Sequence, residues 1–358
     1  MPKVADELTR YDLDRDAFDD RLAGEPRYRL DQLWTGLYAQ ARPLDELTTL
    51  PKALRARLES DLPLALEPVH ESVSADGATV KWLWGLRGGA RIETVLMHYE
   101  QRSTVCVSTQ AGCAMACGFC ATGQAGYERQ LSVGEIVEQV VRAIQRSQRP
   151  DGGGDPRRVS NIVFMGMGEP MANFDAVWGA VERLQGDIGI SARHLTISTV
   201  GIVPGILRLA SMPLPVNLAV SLHAANDELR DELVPINRRY DLATLAEACD
   251  DYVERSRRRL SFEWALIDGV NDRASDASEL AAYARARRAH VNLIPLNPTP
   301  GYPTRGTPPE GVRRFRDQLS DLGANVTVRQ NRGTDIDAAC GQLRAEHAVT
   351  LTPPTRRR

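Results

Sequence analysis

Three cysteines lie close together at a spacing that suits metal binding. Cys113, Cys117 and Cys120 form a CxxxCxxC arrangement after a short apolar run. Iron–sulfur clusters are held by cysteine thiolates, usually four of them. Three thiolates can hold three irons of a 4Fe–4S cube and leave the fourth iron open to a small molecule. Zinc is the less favoured alternative, because its sites close with a fourth Cys or His and the next histidine, His194, is far downstream.

Two further cysteines, Cys106 and Cys340, are candidates for covalent chemistry. Cys106 lies in the apolar run before the CxxxCxxC arrangement, and Cys340 follows the last predicted strand. Two free thiols in one site would suit a nucleophile and its partner, with a transient disulfide as one outcome. Each could instead be structural, Cys106 in the core and Cys340 at a helix start. Cys249, in a predicted amphipathic helix, is expected to be buried and inert.

Polar residues follow several predicted strands at the point where each strand ends. In parallel α/β barrels, chemistry gathers at the C-terminal ends of the strands. Glycines in the Gly166–Pro170 run would let a ligand approach the backbone, and Glu169 would offer a carboxylate to an ammonium group. Taken singly, each residue could also be a helix cap or a core hydrogen-bonding group. Together they predict one site, formed by Gly168, Glu169, Ser198, Ser221, His223 and Asn297.

Hydrophobic periodicity divides the chain into three parts and a tail. Residues 1–75 show helical spacing and predict a small helical domain, whereas residues 78–100 alternate with period two and predict a β-hairpin. In residues 101–345 strands and helices alternate, which predicts a parallel sheet covered by helices. Six or seven such units indicate an α/β fold, an incomplete TIM-like barrel. Residues 346–358 form a tail rich in Pro, Thr and Arg.

Short apolar runs predict seven barrel strands, and amphipathic stretches predict five helices between them. The predicted strands are Thr104–Ser108, Asn161–Met165, His194–Thr199, Val216–Leu222, Leu260–Ile267, His290–Leu296 and Asn325–Arg329. The predicted helices are Val133–Arg146, Asp175–Leu184, Leu242–Arg255, Ala274–Arg287 and Glu310–Leu322.

The composition of the 358-residue chain predicts a globular protein without a membrane span. Hydrophobic residues make up 42%, but no apolar run approaches the roughly 20 residues that cross a bilayer. The net charge of −3 does not by itself indicate nucleic-acid binding, although arginine clusters at 257–259 and 356–358 could contact phosphates. Sparse cysteines and an N-terminus without a signal-peptide core predict a cytoplasmic protein, and a monomer is the default expectation.

Four separated motifs are similar to those of one enzyme family. CxxxCxxC, with Gly-Glu-Pro after the next strand, resembles the radical S-adenosylmethionine (SAM) enzymes. The residues around these motifs resemble the RlmN/Cfr family of RNA adenine methyltransferases, and more narrowly its members that modify carbon 2. The match runs over nearly the whole chain. Its motifs are Cys106–Cys113, Gly166–Pro170, Ser221–Ala224 and Arg332–Leu343.

The resemblance implies a (β/α)6 radical SAM barrel with one 4Fe–4S cluster, and it assigns roles to the candidate residues. Cys113, Cys117 and Cys120 would ligate the cluster, and the fourth iron would bind SAM. Glu93, in the second strand of the hairpin, would be a proton acceptor. The SAM pocket would consist of Gly168, Glu169, Ser198, Ser221, Leu222, His223 and Asn297.

The resemblance also implies a reaction that uses two SAM molecules per turnover. Cys340 would take a methyl group from one SAM, and a 5′-deoxyadenosyl radical from the second would activate it for addition to carbon 2 of an unstacked adenosine. Cys106 would release the product by forming a disulfide with Cys340. The implied substrates are an adenosine in the peptidyl-transferase region of 23S rRNA and the adenosine beside the tRNA anticodon. The helical domain would contact RNA, and a flavodoxin or similar reductant would supply electrons.

Two alternative functions remain open. A Cfr-type enzyme, which methylates carbon 8 of the same ribosomal adenosine, would carry the same motifs, although the N-terminal domain and the residues around Cys340 favour carbon 2. A non-catalytic iron–sulfur RNA-binding protein belongs to another class and would need neither Cys106 nor Cys340. Formation of 5′-deoxyadenosine from SAM would separate it from both enzymes.

Overall fold

The computed structural model describes residues 8–149, 157–299, 301–302 and 304–345. The predicted tail at 346–358, with its arginine cluster, lies outside the described residues. One hydrophobic core extends from the N-terminal helices through the sheet to the C-terminal segment, residues 330–345. No helix within the described ranges is long and apolar enough to cross a membrane.

Twelve strands are described, and ten of them form one sheet in the order β1-β2-β3-β4-β7-β8-β9-β10-β11-β12. The other two, β5 and β6, form a small antiparallel pair. The strands are β1 (Leu66–Val73), β2 (Thr79–Leu86), β3 (Arg91–His98), β4 (Ser103–Cys106), β5 (Gln110–Gly112), β6 (Tyr127–Gln130), β7 (Val159–Phe164), β8 (Leu195–Thr199), β9 (Asn217–Ser221), β10 (Leu260–Leu266), β11 (His290–Pro295) and β12 (Asn325–Val328).

Eleven α-helices are described, three before the sheet and eight within or between its βα units. They are α1 (Arg15–Arg21), α2 (Tyr28–Trp34), α3 (Lys52–Asp61), α4 (Ala121–Ala125), α5 (Val133–Gln148), α6 (Phe174–Gly186), α7 (Val203–Ala210), α8 (Asp227–Leu233), α9 (Leu242–Ser256), α10 (Ala274–Ala286) and α11 (Pro309–Asp321).

The barrel prediction is confirmed. Strands β4 and β7 to β12 run parallel, each beside the next one along the chain. The sheet ends at β1 and β12, so it is an open, incomplete barrel. All seven predicted barrel strands and all five predicted helices form, with small shifts at their ends. Helices α7 and α8 were not predicted, because seven or eight residues are too few for a clear helical period.

The N-terminal part differs from the prediction in two ways. Residues 66–73 were expected in the helical domain but form strand β1, in which six of eight residues are exposed and show no two-residue alternation. The predicted hairpin forms from β2 and β3, yet it is not a separate linker. Because β1 pairs with β2 and β3 pairs with β4, the hairpin belongs to an antiparallel edge of the main sheet.

The N-terminal helices are attached to the barrel by polar contacts as well as by the shared core. The indole nitrogen of Trp34 donates a hydrogen bond of 3.0 Å to Asp187, just beyond α6. The carboxylate of Asp12 accepts a hydrogen bond of 2.7 Å from the backbone N–H of Gly134, in the first turn of α5. Both contacts join residues more than 100 positions apart in sequence.

Helix α5 begins at a capping box that also holds the small β5–β6 pair. The Ser132 hydroxyl accepts from the backbone N–H of Glu135 (3.1 Å), and the Glu135 carboxylate accepts from the backbone N–H of Ser132 (2.9 Å). The same carboxylate forms an ion pair of 2.6 Å with Arg129 of β6. The start of α5 therefore supports the loop between β5 and β6, which carries the three closely spaced cysteines.

Candidate active site

The C-terminal ends of five parallel strands, β7 to β11, line one cleft, which we name the central cleft. These ends can meet around one space only if the sheet curls. The cleft has about 1020 Å³ of empty space, part of it open to solvent, which is ample for a cofactor-sized ligand. The predicted site residues that line it are Cys113, Cys117, Cys120, Gly168, Glu169, Ser198, Ser221, His223, Asn297 and Cys340.

The cysteine loop (residues 113–120) lies between β5 and α4 and is held at both ends. The backbone N–H of Cys113 donates to the carbonyl of Gly126 at 2.7 Å. At the preceding Gly112, which has a φ of +70°, a Cβ would lie 1.9 Å from that same carbonyl oxygen. The N–H of Cys120 donates to the carbonyl of Cys117 at 3.1 Å, closing a turn. The backbone thus directs all three cysteines to the central cleft.

The donor chemistry of the cysteine loop fits an iron–sulfur cluster. Burial raises the pKa of the Cys113 thiol to about 12 and raises the pKa of Cys117 well above its usual range. Thiols bind metals as thiolates, so a metal that binds these cysteines would displace their thiol protons. No three Cys, His, Asp or Glu side chains in the described ranges are gathered around a single-ion site. A cube does not require such a group, because each thiolate binds a different iron.

Glu169 is a buried carboxylate in the loop that follows β7. The preceding Gly168 has a φ of +99°, and a Cβ there would lie 2.5 Å from the Cβ of Gln110, so glycine is required. The Glu169 carboxylate accepts hydrogen bonds from the backbone N–H groups of Met171 (3.0 Å) and Val200 (2.9 Å). Burial raises the pKa of Glu169 to about 7. A ligand ammonium would supply the counter-charge that the carboxylate lacks.

His223 is a neutral imidazole in the wall of the central cleft. Its Nδ1 accepts a hydrogen bond of 2.9 Å from the backbone N–H of Ala265, so the proton resides on Nε2. The ring meets Phe119 edge-on, with 4.8 Å between ring centres. Burial lowers the pKa of His223 to about 3. His223 therefore offers an uncharged N–H donor at neutral pH.

Leu222 is placed differently from the two serines that were predicted beside it. Ser198 and Ser221 line the central cleft, whereas the Leu222 side chain is fully buried in the hydrophobic core. The Leu222 N–H donates to the backbone carbonyl of Glu263 at 3.0 Å, and the Leu222 carbonyl accepts from Arg230 Nε at 3.1 Å. Both backbone groups of Leu222 thus have protein partners. The structure places Leu222 behind the cleft wall.

Asn297 anchors the segment that carries Cys340. Its side-chain nitrogen donates to the Cys340 carbonyl at 3.0 Å, and its side-chain oxygen accepts from Asn331 at 2.7 Å. The neighbouring Gly341 carbonyl accepts from the N–H of Ala121 at 2.8 Å. The Cys340 backbone is therefore attached both to the end of β11 and to the start of α4, directly after the cysteine loop.

A second cleft, which we name the side cleft, adjoins the central cleft and shares Cys340 with it. Cys106, in β4, lines the side cleft. Burial raises the pKa of Cys106 to about 12; the Cys340 sulfur adds to this rise, and the Arg329 charge opposes it. The structure thus brings Cys106 and Cys340 to one space. All six cysteines are free thiols in this structure, so it does not support a permanent disulfide, and a transient one stays a prediction.

Glu93 is buried in β3 and contacts the C-terminal segment. One carboxylate oxygen forms an ion pair of 2.9 Å with Lys81, on the neighbouring strand β2. The other oxygen accepts from the backbone N–H groups of Arg344 (2.9 Å) and Ala345 (3.2 Å). Glu93 therefore anchors the chain that follows Cys340.

Cys249 is buried in α9, as predicted.

Three cations at the site were not identified from the sequence. Arg329 follows the end of β12, and this position at a strand end was the signal used for the other candidates. Lys81 and Glu93 lie on the two strands of one hairpin, and charges of opposite sign there could have suggested a cross-strand pair. Arg230, in α8 among acidic residues, reads as a surface residue, and no pattern reveals that it is fully buried.

Comparisons with known proteins identify the family. The model of the Radical SAM superfamily matches residues 107–281. A probable dual-specificity RNA methyltransferase RlmN from Frankia alni is 51% identical over 333 residues, which are 91% of this chain and 80% of that protein. The dual-specificity RNA methyltransferase RlmN 1 of Myxococcus xanthus is 49% identical over 341 residues, which are 94% of each chain.

A solved structure agrees with these relatives. The crystal structure of a radical SAM methyltransferase from Sphaerobacter thermophilus matches with a TM-score of 0.89 and 50% identity, over 95% of this chain and 100% of that one. The α/β barrel is therefore a radical SAM fold, and its cofactors are a 4Fe–4S cluster and SAM. The chain belongs to the RlmN family of radical SAM RNA methyltransferases.

Proposed function

We propose that this enzyme methylates carbon 2 of an adenosine in 23S rRNA and in tRNA, with Cys340 as the carrier of the methyl group. The observation that supports this proposal is that two free thiols lie at one cleft beside the cysteine loop: Cys340 lines both clefts and Cys106 lines the side cleft. A direct transfer from SAM needs a nucleophilic acceptor, and carbon 2 of adenine is electrophilic. A protein sulfur that carries the methyl group overcomes this mismatch.

The residues of the central cleft have separate roles in this proposal. Cys113, Cys117 and Cys120 hold the cluster, which when bound supplies the electron for reductive cleavage of SAM. Gly168 and Glu169 hold the amino group of SAM. Hydrogen-bonding groups for the rest of SAM come from Ser198, Ser221, His223 and Asn297.

The two thiols act in sequence. Cys340 loses its thiol proton and displaces the methyl group from SAM, which leaves a thioether on the protein. After this carbon has joined the adenine, the Cys106 sulfur attacks the Cys340 sulfur, so that an S–S bond forms as the S–C bond breaks. The disulfide is transient, and a reductant restores the free thiols. Glu93 can act as the proton acceptor only when Lys81 or a backbone N–H of the C-terminal segment releases its carboxylate.

The substrate adenosine must be unstacked, because its carbon 2 edge is inaccessible within a stacked helix. The relatives' name, dual-specificity RNA methyltransferase, supports two kinds of RNA substrate for this chain. 23S rRNA and tRNA are the two that the resemblance of the motifs implies. Contact of the N-terminal helices with RNA, a flavodoxin-like electron donor, a monomeric state and a cytoplasmic location stay predictions.

The carrier role is tested with Cys106→Ala and Cys340→Ala in the reconstituted enzyme. We expect Cys106→Ala to accumulate a covalent adduct between RNA and Cys340, seen as a shifted band on a denaturing gel. Cys340→Ala should abolish methylation and retain the visible absorbance of the cluster. Free, unmodified RNA as the only species with Cys106→Ala would contradict the proposal.

The position of methylation is tested by mass spectrometry of digested 23S rRNA and tRNA after incubation with reduced enzyme and SAM. We expect 2-methyladenosine in both RNAs. 8-Methyladenosine in rRNA alone would instead assign the Cfr-type reaction, which the same two thiols could serve. A digest with no methylated adenosine, together with no 5′-deoxyadenosine, would favour a non-catalytic RNA-binding role.

A further inference from the structure

Arg329 occupies the junction between the central and side clefts. It directly follows β12, and its backbone N–H donates to the carbonyl of Leu293 at 2.8 Å, which fixes its Cα beside β11. Arg329 lines both clefts, and among the described residues it is the one arginine that does so. Cys340 also lines both clefts, and Cys106 lines the side cleft. Arg329 therefore lies where the clefts that hold the two cysteines adjoin.

No carboxylate in the described part of the chain forms an ion pair with Arg329. The nearest acidic influence is Glu263, whose two oxygens already accept hydrogen bonds from Ser261 (3.1 Å) and Asn292 (2.7 Å). Arg329 is half-buried, and burial of a guanidinium is costly unless negative charge compensates it. The pKa of Arg329 is nonetheless raised, chiefly by its interaction with the Cys340 sulfur and after that by Glu263.

We propose that Arg329 is a positioning residue that stabilises negative charge on the sulfurs of Cys340 and Cys106 during methyl transfer and thiol exchange. This inference rests on the proposed function of the two thiols. The guanidinium is suited to the task, because it stays charged and presents several N–H donors in a plane to two acceptors at once.

The first step that Arg329 would assist can be written in full. The Cys340 thiol releases its proton to solvent, and the thiolate attacks the methyl carbon of SAM. The new S–C bond takes the thiolate electron pair, while the old C–S bond breaks and its pair stays on the sulfur of S-adenosylhomocysteine. Arg329 keeps its proton throughout. Its contribution is greatest before the attack and ends when the sulfur becomes a neutral thioether.

The test compares Arg329→Gln and Arg329→Lys with Arg313→Gln, an exposed residue of α11 that controls for loss of one positive charge. The first readout is the rate of Cys340 methylation by SAM without RNA, followed by intact-protein mass spectrometry. Loss of a hydrogen bond to a charged group predicts a rate about 10- to 100-fold lower in Arg329→Gln. Arg329→Lys should recover part of the rate, and Arg313→Gln should match the parent enzyme.

A second readout does not require bound SAM or RNA. Alkylation of Cys340 by iodoacetamide is followed by peptide mass spectrometry in the protein without SAM, across neutral to alkaline pH. We expect slower alkylation in Arg329→Gln near neutral pH and recovery towards the parent rate at high pH, where the thiolate forms without help. A merely structural role would change the rate equally at every pH.

The outcomes separate the possible roles of Arg329. Unchanged methylation and alkylation rates with a raised KM for RNA would overturn the proposal and assign Arg329 to a phosphate of the substrate. Unchanged values of all three would assign it no role in the reaction. If the parent enzyme itself never gains a methyl group on Cys340, the proposed function fails, whereas the alkylation readout still decides whether Arg329 stabilises the thiolate.

Discussion

The ammonium of Lys81 and the carboxylate of Glu93 form an ion pair of 2.9 Å, and both partners also hold the C-terminal segment. Lys81 donates to the carbonyl of Asp337 at 3.2 Å, and Glu93 accepts from the backbone N–H of Arg344 at 2.9 Å. These contacts flank Cys340 on either side along the chain. The pair thus connects the antiparallel edge of the sheet to the residue that we propose carries the methyl group.

Loss of one partner of this pair should release the C-terminal segment. Removing the cation of a buried pair costs about 3 kcal/mol, because the remaining charge is unpaired. We therefore expect Lys81→Met to lower the free energy of unfolding by about this amount and to speed amide hydrogen exchange in residues 337–345. The double variant Lys81→Met with Glu93→Gln should recover part of the stability. Lys52→Met, at an exposed position of α3, is the matched control. Equal rates of amide exchange in Lys81→Met and Lys52→Met would contradict the prediction.

His223 predicts a specific dependence of stability on pH. Its pKa is about 3 in the folded chain because of burial, and an unfolded histidine has a pKa of about 6.5. The unfolded state therefore binds more protons below pH 6.5, so stability is lost as pH falls. At pH 5 this loss reaches about 2 kcal/mol relative to pH 8. The control is His223→Asn, because asparagine tolerates the positive φ at this position and cannot titrate. In urea unfolding, the free energy of unfolding of the parent minus that of His223→Asn should fall by this amount between pH 8 and pH 5. A constant difference would refute the assignment.

The sequence predicted the parts of the site that depend on local spacing. The three cysteines of the CxxxCxxC loop lie within residues 113–120, and Ser198 and Ser221 lie at strand ends. Hydrophobic runs and short motifs therefore sufficed to locate them. Lys81 contacts Asp337, 256 positions away, and Arg329 lines one cleft together with Cys106, which lies more than 200 positions earlier; pairings over such distances leave no local period in the sequence. Strand β1 was missed for another reason, since its exposed side chains carry no apolar alternation.

Gly168 predicts a local steric effect on SAM binding. Both Gly168 and Gly189 have a positive φ, but a Cβ on Gly168 would meet Gln110 at 2.5 Å, and a Cβ on Gly189 would meet nothing within 4 Å. Gly189→Ala should therefore cost only the backbone strain, about 1 kcal/mol. Gly168→Ala carries the same strain and must also displace the loop before Glu169. We expect its affinity for SAM, measured by calorimetry on the reconstituted enzyme, to fall at least about 10-fold, which corresponds to about 1.4 kcal/mol. Similar SAM affinities in the two variants would contradict a role for this close approach.

Arg230 connects the ends of β8 and β9 with the short helical turn Pro235–Arg238 behind the central cleft. Its guanidinium donates to the carbonyl of Val200 at 2.6 Å, to the carbonyl of Leu222 at 3.1 Å and to the side chain of Asn237 at 2.8 Å. The N–H of Val200 in turn donates to the Glu169 carboxylate at 2.9 Å. Val200 therefore links Arg230 to Glu169: its carbonyl accepts from Arg230, and its N–H donates to the Glu169 carboxylate.

Replacement of Arg230 by Lys should weaken SAM binding beyond what lost stability explains. A lysine keeps the charge but cannot reach three acceptors in a plane, so Val200 and Glu169 lose their common support. We expect the KM for SAM to rise about 10-fold, with a smaller change in kcat, for about 1.4 kcal/mol of lost binding energy. Leu280→Ala, in the buried face of α10, is the matched control, because such a substitution destabilises a core by about 2–5 kcal/mol and removes no hydrogen bond of this network. An equal rise in KM in both variants would show that Arg230 acts through global stability alone, whereas a rise confined to Arg230→Lys identifies it as a positioning residue for Glu169.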